Sequence, residues 1–228
     1  MKVIAHMECD FSTKFGIPRQ SGRVPELRGR ILFEPEYRVE KAVDGLEEYE
    51  YLWLIWEFSE NKREGWSPTV RPPRLGGNVR KGVFATRSPF RPNPLGLSSV
   101  KLEKIEFSKE LGPVLHVSGA DLMDQTPIYD IKPYLPGTDS HPDARGGFAR
   151  RVEGHRLQVV FPEELLCKIP MESRTALLKV LAEDPRPGYH HDPHREYGMP
   201  YGVWDIHFRV DGDVLHVFSI TAIQSDDC

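Results

Sequence analysis

Side chains that can move or orient a proton are concentrated in residues 121–134, DLMDQTPIYDIKPY. Asp130, Lys132 and Tyr134 alternate within this segment, so on an extended chain they share one face, opposite Ile131. A carboxylate, an amine and a phenol on one face predict a catalytic set that takes up a proton or orients a substrate. The spacing also fits a structural ion pair between Asp130 and Lys132 at the rim of a barrel.

Arginines stand on a stiffened backbone in residues 71–96, RPPRLGGNVRKGVFATRSPFRPNPLG. Proline fixes φ and glycine opens conformations that other residues avoid, so a loop of this composition is typical of a shaped site. Guanidinium groups on a stiff loop suit anionic or planar ligands, because the planar guanidinium is rigid and always charged. The segment 87–96, with Arg87, Arg91 and Asn93, is the most site-like part. A proline-rich surface linker is the alternative.

Two shorter segments also carry site-like chemistry. Residues 14–20, KFGIPRQ, predict a polar turn near the N-terminus. Residues 184–189, DPRPGY, predict a stiff turn that presents Arg186 and Tyr189, a pair that can contact phosphate and stack on a splayed base. A helix stop followed by a surface arginine fits the second segment equally well.

No metal site is expected. His190, His191 and His194 lie in a predicted loop with no cysteine nearby, whereas catalytic zinc needs three ligands on a rigid frame. The three cysteines are odd in number, widely spaced and free of any C-x-x-C pattern, which fits a reducing cytosol. Because no apolar run approaches about 20 residues and no secretory signal is visible, the sequence predicts a cytoplasmic protein without a membrane segment.

The net charge of −4 argues against a generic polyanion binder, yet the charge is unevenly distributed. Residues 62–91 hold eight basic side chains against one acid, and residues 34–60 hold nine acids against two bases. A basic patch of this kind attracts phosphate locally, although two solvated faces of opposite sign explain it equally well. The G-x-G-x-x-G, Walker, G-x-S-x-G and H-E-x-x-H motifs are absent, which excludes the most recognisable enzyme classes.

Short strands are predicted along most of the chain before residue 161. They cover residues 30–33, 49–58, 81–86, 97–108, 113–119, 126–131 and 157–161. The aromatic run 49–58 is expected to be buried on both faces, and residues 109–112 connect an antiparallel hairpin. Because repeated βα units are missing, the pattern predicts a mainly β barrel or sandwich rather than a Rossmann sheet.

The pattern changes after residue 161. Leucines at helical spacing predict a helix over 171–181, which Asp184-Pro185 ends. A loop over 184–200 and a hairpin turning at Asp211-Gly212-Asp213 follow. We therefore predict a β domain over residues 1–160 and a small α+β domain over residues 161–228.

Taken in order, these segments resemble the TrmO family (also called YaeB or TsaA-like) of tRNA methyltransferases that use S-adenosylmethionine. The resemblance covers nearly the whole chain and rests on KFGIPRQ, the run from Trp66 through PTVRPPRLGGN to ATRSPFRPNPLGLSSVKL, DIKPYLP and the late DPRPGY. It implies a single-sheeted antiparallel β-barrel that binds the cofactor and catalyses, and a small C-terminal domain that binds tRNA. It also implies a homodimer with the cofactor near the subunit interface.

The activity that the resemblance implies is transfer of a methyl group from S-adenosylmethionine to the exocyclic nitrogen of threonylcarbamoyladenosine, next to the anticodon. Asp130 is then the candidate base or orienter, with Lys132 and Tyr134 placing the substrate. The candidate cofactor-binding residues are Pro18, Arg19, Gln20, Ser59, Glu60, Arg87, Leu97, Asp121, Leu122, Met123 and Asp124. The candidate substrate-binding residues are Arg91, Asn93, Asp184, Arg186 and Tyr189.

One departure from the family pattern bears on the site. The family reads Asp-Gly-Thr-Pro before DIKPY, and this chain has Gln125 in place of that glycine. If the glycine serves a turn with positive φ, Gln125 is held in a conformation that a side chain disfavours. Two alternative functions stay open: a non-catalytic RNA-binding barrel, and the same fold methylating another acceptor.

Overall fold

A closed six-stranded barrel and a separate four-stranded sheet contain most of the strands. The computed structural model describes residues 1–61, 65–72, 79–148, 156–187, 190 and 192–223. In chain order the strands are β1 (Ala5–Cys9), β2 (Arg28–Phe33), β3 (Tyr51–Glu57), β4 (Thr69–Val70), β5 (Lys81–Gly82), β6 (Leu95–Ser108), β7 (Gly112–Ser118), β8 (Pro127–Pro133), β9 (Gln158–Val160), β10 (Tyr197–Tyr201), β11 (Trp204–Asp211) and β12 (Val214–Ala222). The α-helices are α1 (Pro136–Asp139), α2 (Glu163–Leu166) and α3 (Met171–Ala182).

The barrel closes in the order β1-β2-β7-β6-β3-β8, with β8 pairing back to β1 and every neighbour antiparallel. This confirms the predicted mainly β class and its antiparallel barrel. The expectation that residues 49–58 are buried on both faces was wrong. In β3 only Leu52, Leu54 and Trp56 are buried, because an antiparallel barrel wall packs one face on the core and leaves the other toward solvent.

The second sheet has the order β10-β11-β12-β9 and packs on α3. Residues 157–161, expected to belong to the barrel, instead contribute β9, which pairs in parallel with β12. Part of the predicted loop 184–200 forms β10, an edge strand, where Pro200 is tolerated because edge positions need no second hydrogen-bonded neighbour. The helix predicted over 171–181 is confirmed by α3. The division into domains at residue 160 stays a prediction.

The strand expected over residues 81–86 is much shorter. Only β5 pairs with β4, and a 3₁₀ turn over Val83–Ala85 follows it. The turn is closed by Thr86, whose backbone N–H and hydroxyl both donate to the carbonyl of Val83. Val83 is buried, whereas Phe84 is left 73% exposed, so this segment anchors a loop instead of extending the sheet.

The connection between β1 and β2 ties the barrel to the second sheet. Phe11, Val24 and Leu27 leave the barrel region and are buried in the core of the second sheet and α3. Phe11 meets Tyr201 edge to face, with ring centroids 5.6 Å apart, and the backbone N–H of Gly202 donates to Asp10 O at 2.8 Å. The connection therefore has a fixed path, and the predicted polar turn 14–20 lies on it.

We predict that Gly16→Ala destabilises this junction. Gly16 has φ +92°, and a Cβ there would lie 2.3 Å from Sδ of Met199, which is fully buried. Backbone strain costs about 1–2 kcal/mol and overpacking about 1–3 kcal/mol more. Gly45→Ala is the matched control, because Gly45 has φ +81° and open space around it. Urea unfolding should show the larger loss for Gly16→Ala; equal losses would contradict the close packing.

Candidate functional site

A cavity of about 780 Å³ opens where β3 ends and β6 begins. This volume lies within the usual range of ligand pockets, roughly 300–1,000 Å³. Most of the residues predicted from the sequence to bind cofactor or substrate line it. These are Pro18, Arg19, Gln20, Ser59, Glu60, Arg87, Leu97, Asp121 and Met123, together with Arg91 and Asn93. Four segments that are far apart in the chain are thus brought to one place, while the ligand contacts themselves stay predictions.

Fixed loops present the basic side chains of the cavity. Gln20 accepts a hydrogen bond from Arg87 Nη1 through Oε1 and donates through Nε2 to the carbonyl of Arg19. Arg91 Nη1 donates to Thr86 O at 3.0 Å, and Lys14 Nζ donates to Asn61 Oδ1 at 3.3 Å. The guanidinium groups are therefore held in place by the protein before any ligand arrives.

Asp121 supplies a half-buried carboxylate at the inner end of the cavity. Trp56 Nε1 donates to Ser98 Oγ at 2.9 Å, and Ser98 Oγ donates to Asp121 Oδ1 at 2.5 Å. Burial raises the pKa of Asp121, while the Ser98 hydroxyl, the backbone N–H groups of Asp121 and Ser21 and the charge of Arg87 act in the opposite direction. The net shift of the pKa is upward, because these partners only partly offset the lost hydration.

Another carboxylate of the cavity wall, that of Glu57, comes from the end of β3. Tyr129 donates its phenolic O–H to Glu57 Oε2, and this bond raises the pKa of Tyr129 to about 12. The pairing follows from a bulge in the β3–β8 ladder, where Ile55 pairs with Asp130 and Trp56 pairs with Ile128. Tyr129 is the extra residue of that bulge, and its side chain meets Glu57.

Two residues of the predicted cofactor set do not line the cavity. Leu122 is buried in the barrel core, and Asp124 Oδ1 accepts a hydrogen bond from the backbone N–H of Cys9 at 3.0 Å. The thiol of Cys9 in turn donates to Leu122 O at 3.3 Å. These two positions thus anchor the 121–124 loop to the end of β1, and the loop directs Asp121 and Met123 to the cavity.

Gln125 has the backbone conformation expected from its place in the family pattern. Its φ is +58°, the left-handed region that favours glycine. The backbone N–H donates to Met7 O at 2.8 Å and the side-chain amide donates to Asp124 Oδ2 at 3.3 Å. The positive φ expected at this turn is confirmed, and the surrounding hydrogen bonds hold Gln125 there.

The predicted catalytic residues lie on the outer wall of the barrel and do not line the cavity. Ile131 packs on the barrel core, which leaves Asp130 and Lys132 on the opposite face, as the alternation predicted. Lys132 Nζ lies 2.9 Å from Asp130 Oδ2, and the ring of Tyr134 packs against that of Trp53 at 5.5 Å. Within one chain these contacts match the structural ion pair that the spacing left open.

In the late segment DPRPGY, Arg186 is paired with a carboxylate of the same segment. Arg186 donates to both carboxylate oxygens of Asp184, at 2.8 and 3.0 Å, and its side chain is only 10% exposed. This pairing raises the pKa of Arg186. The carbonyl of Arg186 accepts from Arg19 Nη2 at 3.3 Å, so the turn abuts the cavity wall. Tyr189, the remaining candidate of this segment, lies outside the described residues.

Some residues that build the cavity were not singled out from the sequence. They are Trp56, Gly96 and Ser98 on the inner face of the barrel, Glu57 with Tyr129, and Phe58. Alternation along β3 and β6 indicates which face they occupy, but only the register of the two strands shows that they meet. In the described part of the chain, no group of three or more His, Cys, Asp or Glu side chains is placed to hold a metal ion. No described helix is long and apolar enough to cross a membrane.

Comparisons with known proteins agree with this architecture. Residues 6–140 match the tRNA-methyltransferase O N-terminal domain, and residues 154–223 match the TrmO C-terminal domain. The tRNA (adenine(37)-N6)-methyltransferase of Escherichia coli K12 is 40% identical over 220 residues, which cover 92% of each chain. The enzyme of the same name from Eikenella corrodens is 45% identical over 177 residues, which cover 77% of this chain and 99% of the relative. A crystal structure of TrmO from Pseudomonas aeruginosa superposes with a TM-score of 0.78 at 31% identity, covering 97% of each chain.

We predict that Gln125→Gly stabilises the protein. Glycine removes a side chain from the left-handed region, and after its own entropic cost the free energy of unfolding should rise by up to about 1 kcal/mol. Gln125→Ala is the control, because it removes the amide contact but keeps a side chain at positive φ. Chemical denaturation should show that the glycine variant is more stable than the wild-type protein and than Gln125→Ala. A glycine variant no more stable than Gln125→Ala would show that the backbone of Gln125 is not strained.

We predict that Cys9 resists alkylation in the native protein. Burial raises the pKa of its thiol to about 12, whereas Cys167 is exposed. Because the thiolate is the reactive form, Cys9 should react on the order of a hundredfold more slowly than Cys167 at pH 8. Peptide mapping after timed iodoacetamide treatment measures both rates, and urea should make them converge. Comparable rates without urea would show that the 121–124 loop is not closed over Cys9.

Proposed function

The chain belongs to the tRNA-methyltransferase O family, and from this premise we propose that it methylates the exocyclic nitrogen of threonylcarbamoyladenosine beside the anticodon of tRNA. Relatives that match most of the chain are named tRNA (adenine(37)-N6)-methyltransferases, and others are named S-adenosylmethionine-dependent methyltransferases. The chain is accordingly an S-adenosylmethionine-dependent methyltransferase. The modified nucleoside, the homodimer and the cytoplasmic location are our proposals.

The observation that carries this proposal is the combination of apolar, acidic and basic side chains that line the cavity. Its walls combine apolar surface from Ile17, Phe58 and Leu97 with the half-buried carboxylate of Asp121. S-adenosylmethionine has apolar parts, a carboxylate and two positive groups, so it needs both acidic and basic partners. Arg87 suits the ligand's carboxylate and Asp121 suits one of its cations. The residues present therefore fit this cofactor.

Bound S-adenosylmethionine supplies an electrophilic methyl group, and the protein's part is to align that group with the acceptor nitrogen. The Gln20–Arg87 contact and the Ser98–Asp121 contact hold charged groups on two walls of the cavity. Positioning of this kind contributes roughly 7–11 kcal/mol of barrier lowering when it is complete. The acceptor nitrogen is urea-like, so loss of its proton to a nearby base frees the lone pair that attacks.

We assign the proton-accepting role to Asp130, as a proposal that requires a second copy of the chain. Asp130, Lys132 and Tyr134 are on the outer wall of the barrel and do not line the cavity of their own chain. A two-fold homodimer would let one chain supply this set to the cavity of the other. Exposed aromatic residues beside the cavity, Trp66 and Phe84 with rings 6.1 Å apart, give a surface suited to a partner chain or to unstacked bases.

The substrate prediction is tested by nucleoside mass spectrometry of tRNA incubated with the protein and S-adenosylmethionine. Threonylcarbamoyladenosine should be consumed, and a nucleoside heavier by one methyl group should replace it. A matched tRNA transcript that carries unmodified adenosine is the control and should gain no methyl group. Methylation of a different nucleoside would favour another acceptor, and RNA binding without methylation at any nucleoside would favour a non-catalytic barrel.

We predict that Asp130→Asn lowers kcat by about a hundredfold or more, because a positioned base contributes that much to a proton transfer. The affinity for S-adenosylmethionine, measured by calorimetry, should stay unchanged. Asp130 and Lys132 form an exposed pair, so losing it should cost under about 1 kcal/mol of stability. Lys132→Met is the control for stability alone, since it breaks the same pair and keeps the carboxylate, and its loss of stability should match that of Asp130→Asn. Unchanged kcat in Asp130→Asn would end the assignment.

Mixing two variants, each expected to have lost activity through one of the two carboxylates, tests whether the set acts across the dimer. Asp130→Asn and Asp121→Asn chains are denatured together and refolded at equal amounts. In half of a heterodimer the cavity and the Asp130 set are then both intact, so about a quarter of the wild-type specific activity should return. Activity that does not exceed the sum of the separate variants would place Asp130 on the same chain as its cavity, or outside the reaction.

A further inference from the structure

Two buried residues, Trp56 in the cavity wall and Ser98 beside it, form a hydrogen-bonded relay to Asp121. Ser98 is fully buried and Trp56 is nearly so, yet neither side chain leaves a polar atom without a partner. Buried polar groups are costly unless they are satisfied, so a serine and an indole N–H in a barrel core call for a reason. That reason lies at the end of the relay, where the Ser98 hydroxyl meets the carboxylate of Asp121.

The direction of the relay is fixed by chemistry. The indole Nε1–H of Trp56 can only donate, so Ser98 Oγ accepts from it and its single proton is committed to Asp121 Oδ1. The backbone N–H groups of Asp121 and Ser21 also act to lower the pKa of this carboxylate. These groups favour the ionised form of Asp121 and partly offset the effect of burial.

The strand register explains how the relay is built. Trp56 lies opposite Gly96 and Leu54 lies opposite Ser98 in the β3–β6 ladder, so Trp56 reaches Ser98 diagonally across the inner face. A Cβ on Gly96 would lie 2.2 Å from the indole ring. The absence of a side chain at Gly96 is therefore what allows the indole to lie flat and meet Ser98.

The methyl donor and its product differ by one positive charge, which sits on sulfur in the donor and is absent in the product. We propose that Trp56 and Ser98 are positioning residues that present the Asp121 carboxylate, as an anion, to the positively charged sulfur of the donor. This inference rests on the proposed function, because it takes S-adenosylmethionine as the occupant of the cavity. An anion at that place holds the donor and releases the uncharged thioether after transfer.

Calorimetric titration with S-adenosylmethionine and with S-adenosylhomocysteine separates this role from a merely structural one. Ser98→Ala should weaken donor binding about tenfold, since a hydrogen bond to a charged group is lost, and should weaken product binding much less. Trp56→Phe should give a smaller change of the same kind. Ser99→Ala, on the same strand and facing outward, is the matched control and should leave both affinities unchanged.

The pH dependence of donor binding provides a second measurement. Donor affinity should fall as pH falls through the pKa of Asp121, and in Ser98→Ala this fall should occur at higher pH. Asp121→Asn should remove both the pH dependence and the preference for donor over product. If Ser98→Ala does not fold, Trp56→Phe and Asp121→Asn still decide the question.

These measurements distinguish a failure of the proposed function from a failure of the role given to Asp121. If the wild-type protein binds neither ligand, the proposed function fails. If it binds both, and Ser98→Ala or Asp121→Asn weakens them by the same factor, Asp121 contacts the amino group or ribose that the ligands share. The cavity would then still hold the cofactor, and the assignment of Asp121 to the sulfur would be overturned.

Discussion

A single constraint organises the inner end of the cavity in our proposal: the half-buried carboxylate of Asp121 has to stay ionised beside the barrel core. Burial raises the pKa of Asp121, so each donor aimed at it contributes to keeping the charge. Ser98 supplies such a donor from β6, and the backbone N–H of Ser21 acts to lower the pKa from a second segment. The inner face of the barrel therefore carries a polar relay at a place where a core normally holds only apolar side chains.

Barrel closure and loop anchoring serve the same requirement. The antiparallel β3–β6 register puts Trp56 over Gly96 and within reach of Ser98. Two hydrogen bonds hold the 121–124 loop against the end of β1. The backbone N–H of Cys9 donates to Asp124, and the Cys9 thiol donates to the carbonyl of Leu122. A loop anchored at both sides has little freedom, so Asp121 is held rigidly enough to act as a fixed charge.

Local patterns in the sequence predicted much of this arrangement, and long-range pairings account for what they missed. Alternation placed Asp130 and Lys132 on one face, and the family pattern indicated the positive φ of Gln125. The parallel pairing of β9 with β12 joins segments more than 50 residues apart, for which a single sequence carries no signal. Likewise, nothing in the letters DPRPGY shows that Arg186 is turned back onto Asp184.

The charge of Asp121 can be observed directly by carbon-13 NMR of its carboxyl group as a function of pH. A nearby cation lowers the pKa of a carboxyl group, and an uncharged thioether does not. The account predicts a pKa for Asp121 that falls when S-adenosylmethionine binds and stays near the value of the free protein when S-adenosylhomocysteine binds. Equal shifts with the two ligands, or no shift with either, would contradict it.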